Sequence, residues 1–461
     1  MSQAVTAMLD RLRAELGPGG VLEGEDIGAR HHVDWTRFKP CAPRALLRPC
    51  STTEVARVLS LCHAAGQPVV VQGGLTGLAG GATPRAGELA LSLERLSGIE
   101  ELDSAAGTLR VRAGTPLAAV HAAAAGHGLQ FALDLGARGS CTIGGNIATN
   151  AGGNRVIRYG MTRELVLGLE AVLADGTVIS SLNTMLKNNA GYDLKQLFIG
   201  SEGTLGVITR AVLRLHAAPR ERLTALVAVP SFAALVGLLG EARAALGGPL
   251  GSFETMWSEY YEFALARVHT GARPIAGAHE CYALIEVEAL EPATDAGRLE
   301  ALLARCLDSR LASEVVIARS LEESARLWRI RESAGELLTH ILPAAAYDIS
   351  LPLARMPAYL DEVRAQLRAV LGERPLFVFG HLGDGNLHLA AGLRAPADLP
   401  RADEIVYGAL AGFGSVSAEH GIGQLKRGWL GLSRGPAELE LMRRLKATLD
   451  PKGILNPGRV L

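Results

Sequence analysis

The sequence predicts an α+β protein: a domain of two subdomains carrying glycine-rich loops, a ferredoxin-like domain, and a helical C-terminal segment. Three observations predict it. Glycine-rich stretches occur at Gly73–Gly81, directly after an apolar strand, and again over Gly136–Gly153. After Pro219 these loops stop. From there, strand-like and helix-like patterns run in the order β-α-β-β-α-β. The expected boundaries are 1–40 for an N-terminal helical segment, 41–219 for the glycine-loop domain, 220–410 for the second domain and 411–461 for a tail that packs back on the first.

Each element has its own signal. MSQAVTAMLDRLRAELG has leucines at helical spacing but is broken by Asp10, Arg11, Arg13 and Glu15, so a short amphipathic helix is expected rather than a signal peptide. Thr52 or Thr53 is the expected N-cap of a helix that ends near Gly66. PVVVQ reads as a buried strand leading into GGLTGLAGG, and ELALSLERL and TLRVRAG read as strands. LAAVHAAAAGHG is a helix stopped by Gly126 and Gly128. LDLGARGSCTIGGNIATNAGGNRVIRYG has few large apolar side chains and reads as one long loop. LVLGLEAVLADGTVIS is two strands with a turn at Asp175-Gly176. Beyond Pro219 come ERLTALVAVP, SFAALVGLLGEARAAL, CYALIEVEAL, ATDAGRLEALLARCLD and SEVVIARS, then a helical stretch around 321–342, a hairpin over 377–391, and a helical tail ending in DPKGILNPGRVL.

Composition excludes several classes. The net charge of −1 over 461 residues gives no global field for nucleic acid or an acidic membrane. Lysine is rare beside arginine, which reads as coding bias. The six cysteines form no CxxC pair, so neither a zinc ribbon nor a disulfide framework is expected. No apolar run is long enough to span a membrane. A cytoplasmic protein is expected, with peripheral attachment to the inner membrane and a homodimer both left open.

The glycine loops suit a large polar ligand. Without Cβ atoms, their backbone N–H groups can approach an anion such as a pyrophosphate. No GxGxxG or GxxxxGK occurs, so neither a Rossmann nor a Walker site is expected. The bland alternative is a pair of ordinary surface loops. Structureless loops as long as the second are uncommon unless they serve a function.

FVFGHLGDGNLHLAAG carries the sharper chemical signal. With Asp384-Gly385 as a two-residue turn, His381 lies opposite His388 on one face. Two imidazoles so placed can share a divalent cation. In SAEHG, Glu419 offers a carboxylate beside His420, and two histidines with one glutamate make the three ligands of an open site. The alternative is two surface histidines near a turn.

The segments VQGGLTGLAGGATP, GSCTIGGNIATNAGG and GYDLKQLFIGSEGTLGVIT resemble the FAD-binding half of the vanillyl-alcohol-oxidase-type flavoproteins. Within that superfamily the chain, from residue 40 to its end, is similar to the D-2-hydroxy-acid dehydrogenases, the D-2-hydroxyglutarate, D-lactate and glycolate dehydrogenase group. The resemblance implies that Gly73, Gly74, Thr76, Gly77 and Gly80 cradle the FAD pyrophosphate. It implies that Ser140, Gly144, Gly145, Asn146, Thr149, Gly152 and Gly153 line the flavin and ribityl region, and that Glu202, Gly203 and Ile208 also touch the cofactor. Gln72 stands where many relatives have arginine. Neither the first glycine loop nor the GGN segment holds a histidine, so FAD is expected to be non-covalent.

The same resemblance implies that His381, His388 and Glu419 bind zinc or a similar divalent metal. His420 would be the general base, Asn386 a substrate-contacting amide and Arg331 the partner of the substrate carboxylate; a helix-surface charge is the alternative for Arg331. The implied reaction oxidises a small D-2-hydroxy acid to the 2-oxo acid, with electrons passed to an external acceptor: electron-transfer flavoprotein, quinone or cytochrome. Gly335 and Ala346 fall where hydroxyglutarate enzymes carry threonine and lysine, which favours a smaller acid such as D-lactate. Rival readings are a non-catalytic FAD-binding subunit of an oxidase complex, and an alcohol or aldose oxidase of the same fold.

Overall fold

A computed structural model describes residues 3–269 and 271–461. The chain forms two compact units. The first comprises the chain up to Gly153, then Gly160–Ala218 and Glu419–Leu461; the second comprises Asn154–Tyr159 and Pro219–Ala418. The expected boundary near 219 falls at this break. The tail joins the first unit at Glu419 rather than at 411, and residues before 40 do not stand apart. The reason lies in the helix Gln3–Leu16, which buries Met8, Leu9, Leu12 and Leu16 and packs on the helix Thr52–Ala65.

The first unit holds a four-stranded and a five-stranded sheet. In the four-stranded sheet, Val69–Gln72 and Leu46–Leu47 lie parallel on either side of Leu89–Ser92. Helix Thr52–Ala65 is capped by Ser51, one residue before the expected position. The Ser51 hydroxyl accepts from the Glu54 N–H, and the Glu54 carboxylate accepts from the Cys50 N–H at 2.8 Å, one residue before the cap. The helix ends at Gly66, whose φ of 62° suits glycine. The C-terminal segment completes this unit: Leu455 bridges Val69, and buried Arg459 pairs with Glu88.

The stretch Gly136–Gly153 is not one irregular loop. It contains the helix Ile143–Ala148, with Ile143 and Ile147 buried. Its glycines permit packing rather than disorder: a Cβ on Gly144 would sit 2.6 Å from the Ala113 side chain. The short length and small residues hid this helix from periodicity.

The second unit is built on a seven-stranded antiparallel sheet. Its strands lie in the order Glu314–Ile317, Glu221–Val229, Cys281–Ala289, Leu250–Trp257, Leu376–His381, Asn386–Gly392 and Ala344–Ser350. The first four give the ferredoxin-like arrangement, with helices Phe232–Leu246 and Pro292–Asp308 packed on each other. Helix Ser258–Arg267 is an addition after the Leu250–Trp257 strand. That strand is buried throughout, so it lacks the polar/apolar alternation that marks a half-exposed strand. Against one sheet face pack Tyr260, Leu327, Ile330 and Leu337 of the neighbouring helices, over Met256, Phe377 and Phe379.

The histidine hairpin differs from expectation. His381 pairs with Asn386, and His388 pairs with Phe379. The connection is the four residues Leu382–Gly385, a 3-10 turn ending at Gly385 with φ 80°, rather than a two-residue turn. Asp384 Oδ1 accepts from the Asn386 N–H at 3.1 Å and holds the longer turn closed. The register moves by two residues, an even number, so both histidines stay on one face. Among the described residues, no helix is long and apolar enough to cross a membrane.

Candidate functional site

In the first unit the two glycine loops lie against each other. A Cβ on Gly73 would sit 2.7 Å from Thr142 Oγ1, and one on Gly74 would overlap the Ser140 carbonyl. Gly77 is more open, with only Asp34 within reach, and Gly80 has φ 72°. Thr76 lies between them in the same loop. Thr142 Oγ1 is buried and has no hydrogen-bond partner. A polar atom buried beside two Cβ-free backbones suits a large polar cofactor, whose oxygens would satisfy it. Asn146 is buried in the helix Ile143–Ala148, and the Thr149 hydroxyl donates to the Gly145 carbonyl at 3.0 Å. Gly152 and Gly153 follow, and a Cβ on Gly153 would overlap the Asp134 carbonyl.

Glu202, Gly203 and Ile208 share one turn and the strand after it. Glu202 and Gly203 have φ of 52° and 71°, and Ile208 is buried on Val207–Arg214. The Glu202 carboxylate accepts from the Ile422 and Gly423 N–H groups at 2.7 and 2.8 Å. Burial pushes this carboxyl up, against those two backbone bonds. Glu202 therefore anchors the loop that carries Glu419 and His420. In that loop His420 Nε2 lies 3.4 Å from Glu419 Oε1.

Gln72 is a clamp. Its carbonyl oxygen accepts from His31 Nδ1 at 2.9 Å, and its amide donates to the carbonyls of His31 and Ala82. Ala82 immediately follows the first glycine loop, so Gln72 ties the loop's exit to His31. Sequence reasoning missed His31. A histidine has no periodic signature, and nothing nearby in the chain marked its partner.

In the second unit one sheet face gathers charged and amide groups. Glu254 pairs across strands with His381, and Asp348 with His388. The rings of His381 and His388 have centroids 5.3 Å apart at 82°. A nitrogen of each lies within 4.8 Å of the other. His381 Nδ1 donates to Glu254 Oε1 at 2.8 Å, and Arg331 Nη2 lies 2.7 Å from Glu254 Oε2. Burial pushes the Glu254 carboxyl up, but His381 and Arg331, which lie against its two oxygens, outweigh it and hold the carboxyl below its ordinary value.

Arg331 is buried in the last turn of the helix Leu321–Glu332, so it is not a helix-surface charge. It lies over the Phe379 ring, 5.0 Å from its centroid, and its Nε finds no acceptor. Asn386 Nδ2 donates to Asp348 Oδ1 at 2.8 Å and to the Ile349 carbonyl at 2.9 Å, while its Oδ1 is buried without a partner. Two imidazole nitrogens, an unsatisfied amide oxygen and a guanidinium with a spare donor fit a divalent cation and an oxygen-rich anion. Ala346 pairs with Ala390 on the strand of Asp348, and Gly335 lies in the helix Ala334–Thr339; neither offers a side-chain donor.

This unit thus brings His381, His388, Asn386 and Arg331 together, and the first unit carries Glu419 beside His420. Glu254 and Asp348 escaped the sequence reading. The available signal was a carboxylate inside an otherwise apolar strand, in LGSFETMW and in AAAYDIS.

Two family models match the chain. One, described as FAD linked oxidases, C-terminal domain, covers residues 218–460. The other, an FAD binding domain, covers residues 43–181. The chain is 42% identical over 447 residues to the mitochondrial D-2-hydroxyglutarate dehydrogenase of Bos taurus, spanning 96% of this chain and 81% of that protein. It is 42% identical to the D-2-hydroxyglutarate dehydrogenase of Xanthomonas citri pv. viticola, spanning 95% and 94%. The fold is similar to that of p-cresol methylhydroxylase, with TM-score 0.79 and 15% identity over 100% of this chain and 97% of that one. It is also similar to that of alkyldihydroxyacetonephosphate synthase, with TM-score 0.77 and 18% identity over 98% and 84%. At such identities the likeness is one of fold alone. The relatives, matched over nearly all of this chain, and both models agree with the glycine loops and the polar sheet face: the chain belongs to the FAD-linked D-2-hydroxy-acid dehydrogenases.

Proposed function

We propose that the protein oxidises C2 of a small D-2-hydroxy acid with the help of a divalent metal and passes the electrons to an external acceptor. One observation carries the reading: two facing imidazoles share a buried sheet face with Arg331 and the unsatisfied amide oxygen of Asn386. His381 and His388 would hold the metal. The third ligand is Glu419, the residue directly after Ala418, where the second unit ends. Ser417, two residues earlier, is tied to this face by its hydroxyl, which donates to Asp348 at 3.4 Å.

When bound, FAD supplies the hydride acceptor and the metal supplies Lewis acidity toward the substrate hydroxyl. Arg331 binds the substrate carboxylate through its forked donors. Asn386 Oδ1 orients the polar end of the substrate. His420 takes the hydroxyl proton, a task an imidazole can perform as general base.

D-2-hydroxyglutarate is the first substrate to test, because relatives at 42% identity carry its name. A second reading, a smaller acid such as D-lactate, is favoured by the donor-free pair Ala346 and Ala390. Anaerobic bleaching of the yellow protein with a panel of D- and L-2-hydroxy acids decides between them. Bleaching by one D-acid alone supports the proposal and names the substrate. Bleaching only by simple alcohols or aldoses overturns it.

A further inference from the structure

We propose that Glu254 is a positioning residue that couples two tasks: it orients His381 toward a divalent cation and holds Arg331 in place for the substrate carboxylate. This rests on the metal reading above and goes beyond it. Glu254 lies in the middle of a wholly buried strand and has no exposed surface. Its in-strand neighbour on the same face is Met256, and its cross-strand partners are Leu284 and His381. An apolar side chain would fill such a place at least as stably, because buried ion pairs seldom exceed well-packed hydrophobes in stability. A carboxylate here therefore points to a task other than stability.

The geometry assigns that task. The two oxygens are divided: Oε1 accepts from His381 Nδ1 at 2.8 Å, and Oε2 forms an ion pair with Arg331 Nη2 at 2.7 Å, outside hydrogen-bond geometry. A carboxylate has no proton to give, so Nδ1 of His381 carries the hydrogen. That makes Nε2, on the opposite side of the ring, the unprotonated nitrogen and hence the ligand atom. The other oxygen fixes the guanidinium above Phe379 and leaves its Nε without an acceptor. One side chain thus sets the tautomer of a metal ligand and the placement of an anion donor.

The test uses the flavoprotein stripped of metal with chelator and titrated with Co2+, beside steady-state kinetics on the acid that bleaches it. Glu254→Gln keeps an acceptor for His381 but turns an amide toward Arg331. It is expected to weaken Co2+ binding about 10–100-fold and to raise KM more than it lowers kcat. Glu254→Asp, too short to reach both partners, is expected to restore no more than one of the two properties. If Glu254→Gln does not fold, the double variant Glu254→Gln with Arg331→Met removes the unpaired charge and still reports Co2+ affinity. Unchanged Co2+ affinity in a folded, yellow Glu254 variant overturns the inference, because a purely structural role would leave that constant alone. His381→Ala serves as the control. If it too binds Co2+ normally, the metal reading itself fails; if it loses Co2+ while Glu254→Gln does not, only the inference about Glu254 fails.

Discussion

His388 stands diagonally across the hairpin from His381, ring to ring at 5.3 Å, because His388 pairs with Phe379 and His381 with Asn386. Neither ring can hold a cation alone as tightly as the pair. Replacing either histidine by alanine is expected to remove bound metal and reduce turnover by at least about 100-fold, the upper end of what losing even a residue behind a ligand costs. The yellow colour should remain. Metal analysis with flavin absorbance checks this, and chelator treatment of the unmodified protein should slow turnover in the same way.

Removing the proposed base separates cofactor binding from chemistry. His420→Ala is expected to keep FAD and to lose anaerobic bleaching by about 10²–10⁴-fold in rate. Stopped-flow reduction of the flavin measures it. A normal rate would mean that another group takes the proton.

Arg331→Lys tests the forked donor. Lysine keeps the charge but not the planar pair of N–H groups. KM for the D-acid is expected to rise about tenfold or more, the loss expected for a charged hydrogen bond of about 1.5–3 kcal/mol. An unchanged KM would place the carboxylate elsewhere.

The contact between the glycine loops makes a sharp steric prediction. A Cβ at Gly74 would overlap the Ser140 carbonyl. Gly74→Ala is therefore expected to yield protein with little or no FAD. The ratio of flavin to protein absorbance reads this directly. Gly77→Ala, where the nearest atom to a Cβ is an Asp34 oxygen at 3.8 Å, should be milder.

Stability of the first unit should depend on pH through His31. In the neutral ring, Nδ1 donates to Gln72 and Nε2 accepts from Arg30 Nε at 3.1 Å. Burial, joined by the charges of Arg30 and Arg48 and opposed by the Gln72 bond, holds the His31 pKa below its ordinary 6.5. The unfolded chain therefore takes up this proton at a higher pH than the folded protein. The stabilisation is complete above 6.5 and is lost as pH falls through 6.5 toward the lowered folded value. Tm is expected to fall over that window, and less so in His31→Asn. Parallel Tm curves for the two proteins would remove His31 as the cause.

Legibility followed the range over which each interaction acts. The helix Leu117–Ala125 and the strands around Asp175-Gly176 were readable because their signals lie within a few residues. The ferredoxin-like order was readable from alternating segments, but the strand Leu250–Trp257 was not singled out, because burial on both faces removes the alternation. His381, His388, Asn386 and Arg331 were named from the sequence, and the structure places them together in one unit. Their partners were not found. Glu254 meets His381 across 127 positions of sequence, and Asp348 meets His388 only through strand register. The hairpin was off by two residues because Asp384-Gly385 looks like a complete turn, whereas Leu382 and Gly383 belong to the turn as well.

The closing segment of the chain has a consequence for synthesis. All seven strands of the second unit's sheet have been synthesised once the chain reaches Gly392. The first unit cannot finish then: Leu455 must still bridge Val69, Asn456 must still bond the Val71 N–H, and Arg459 must still neutralise buried Glu88. Val69, Val71 and Glu88 thus wait for partners that lie in the closing segment, 385 positions on in the case of Val71 and Asn456.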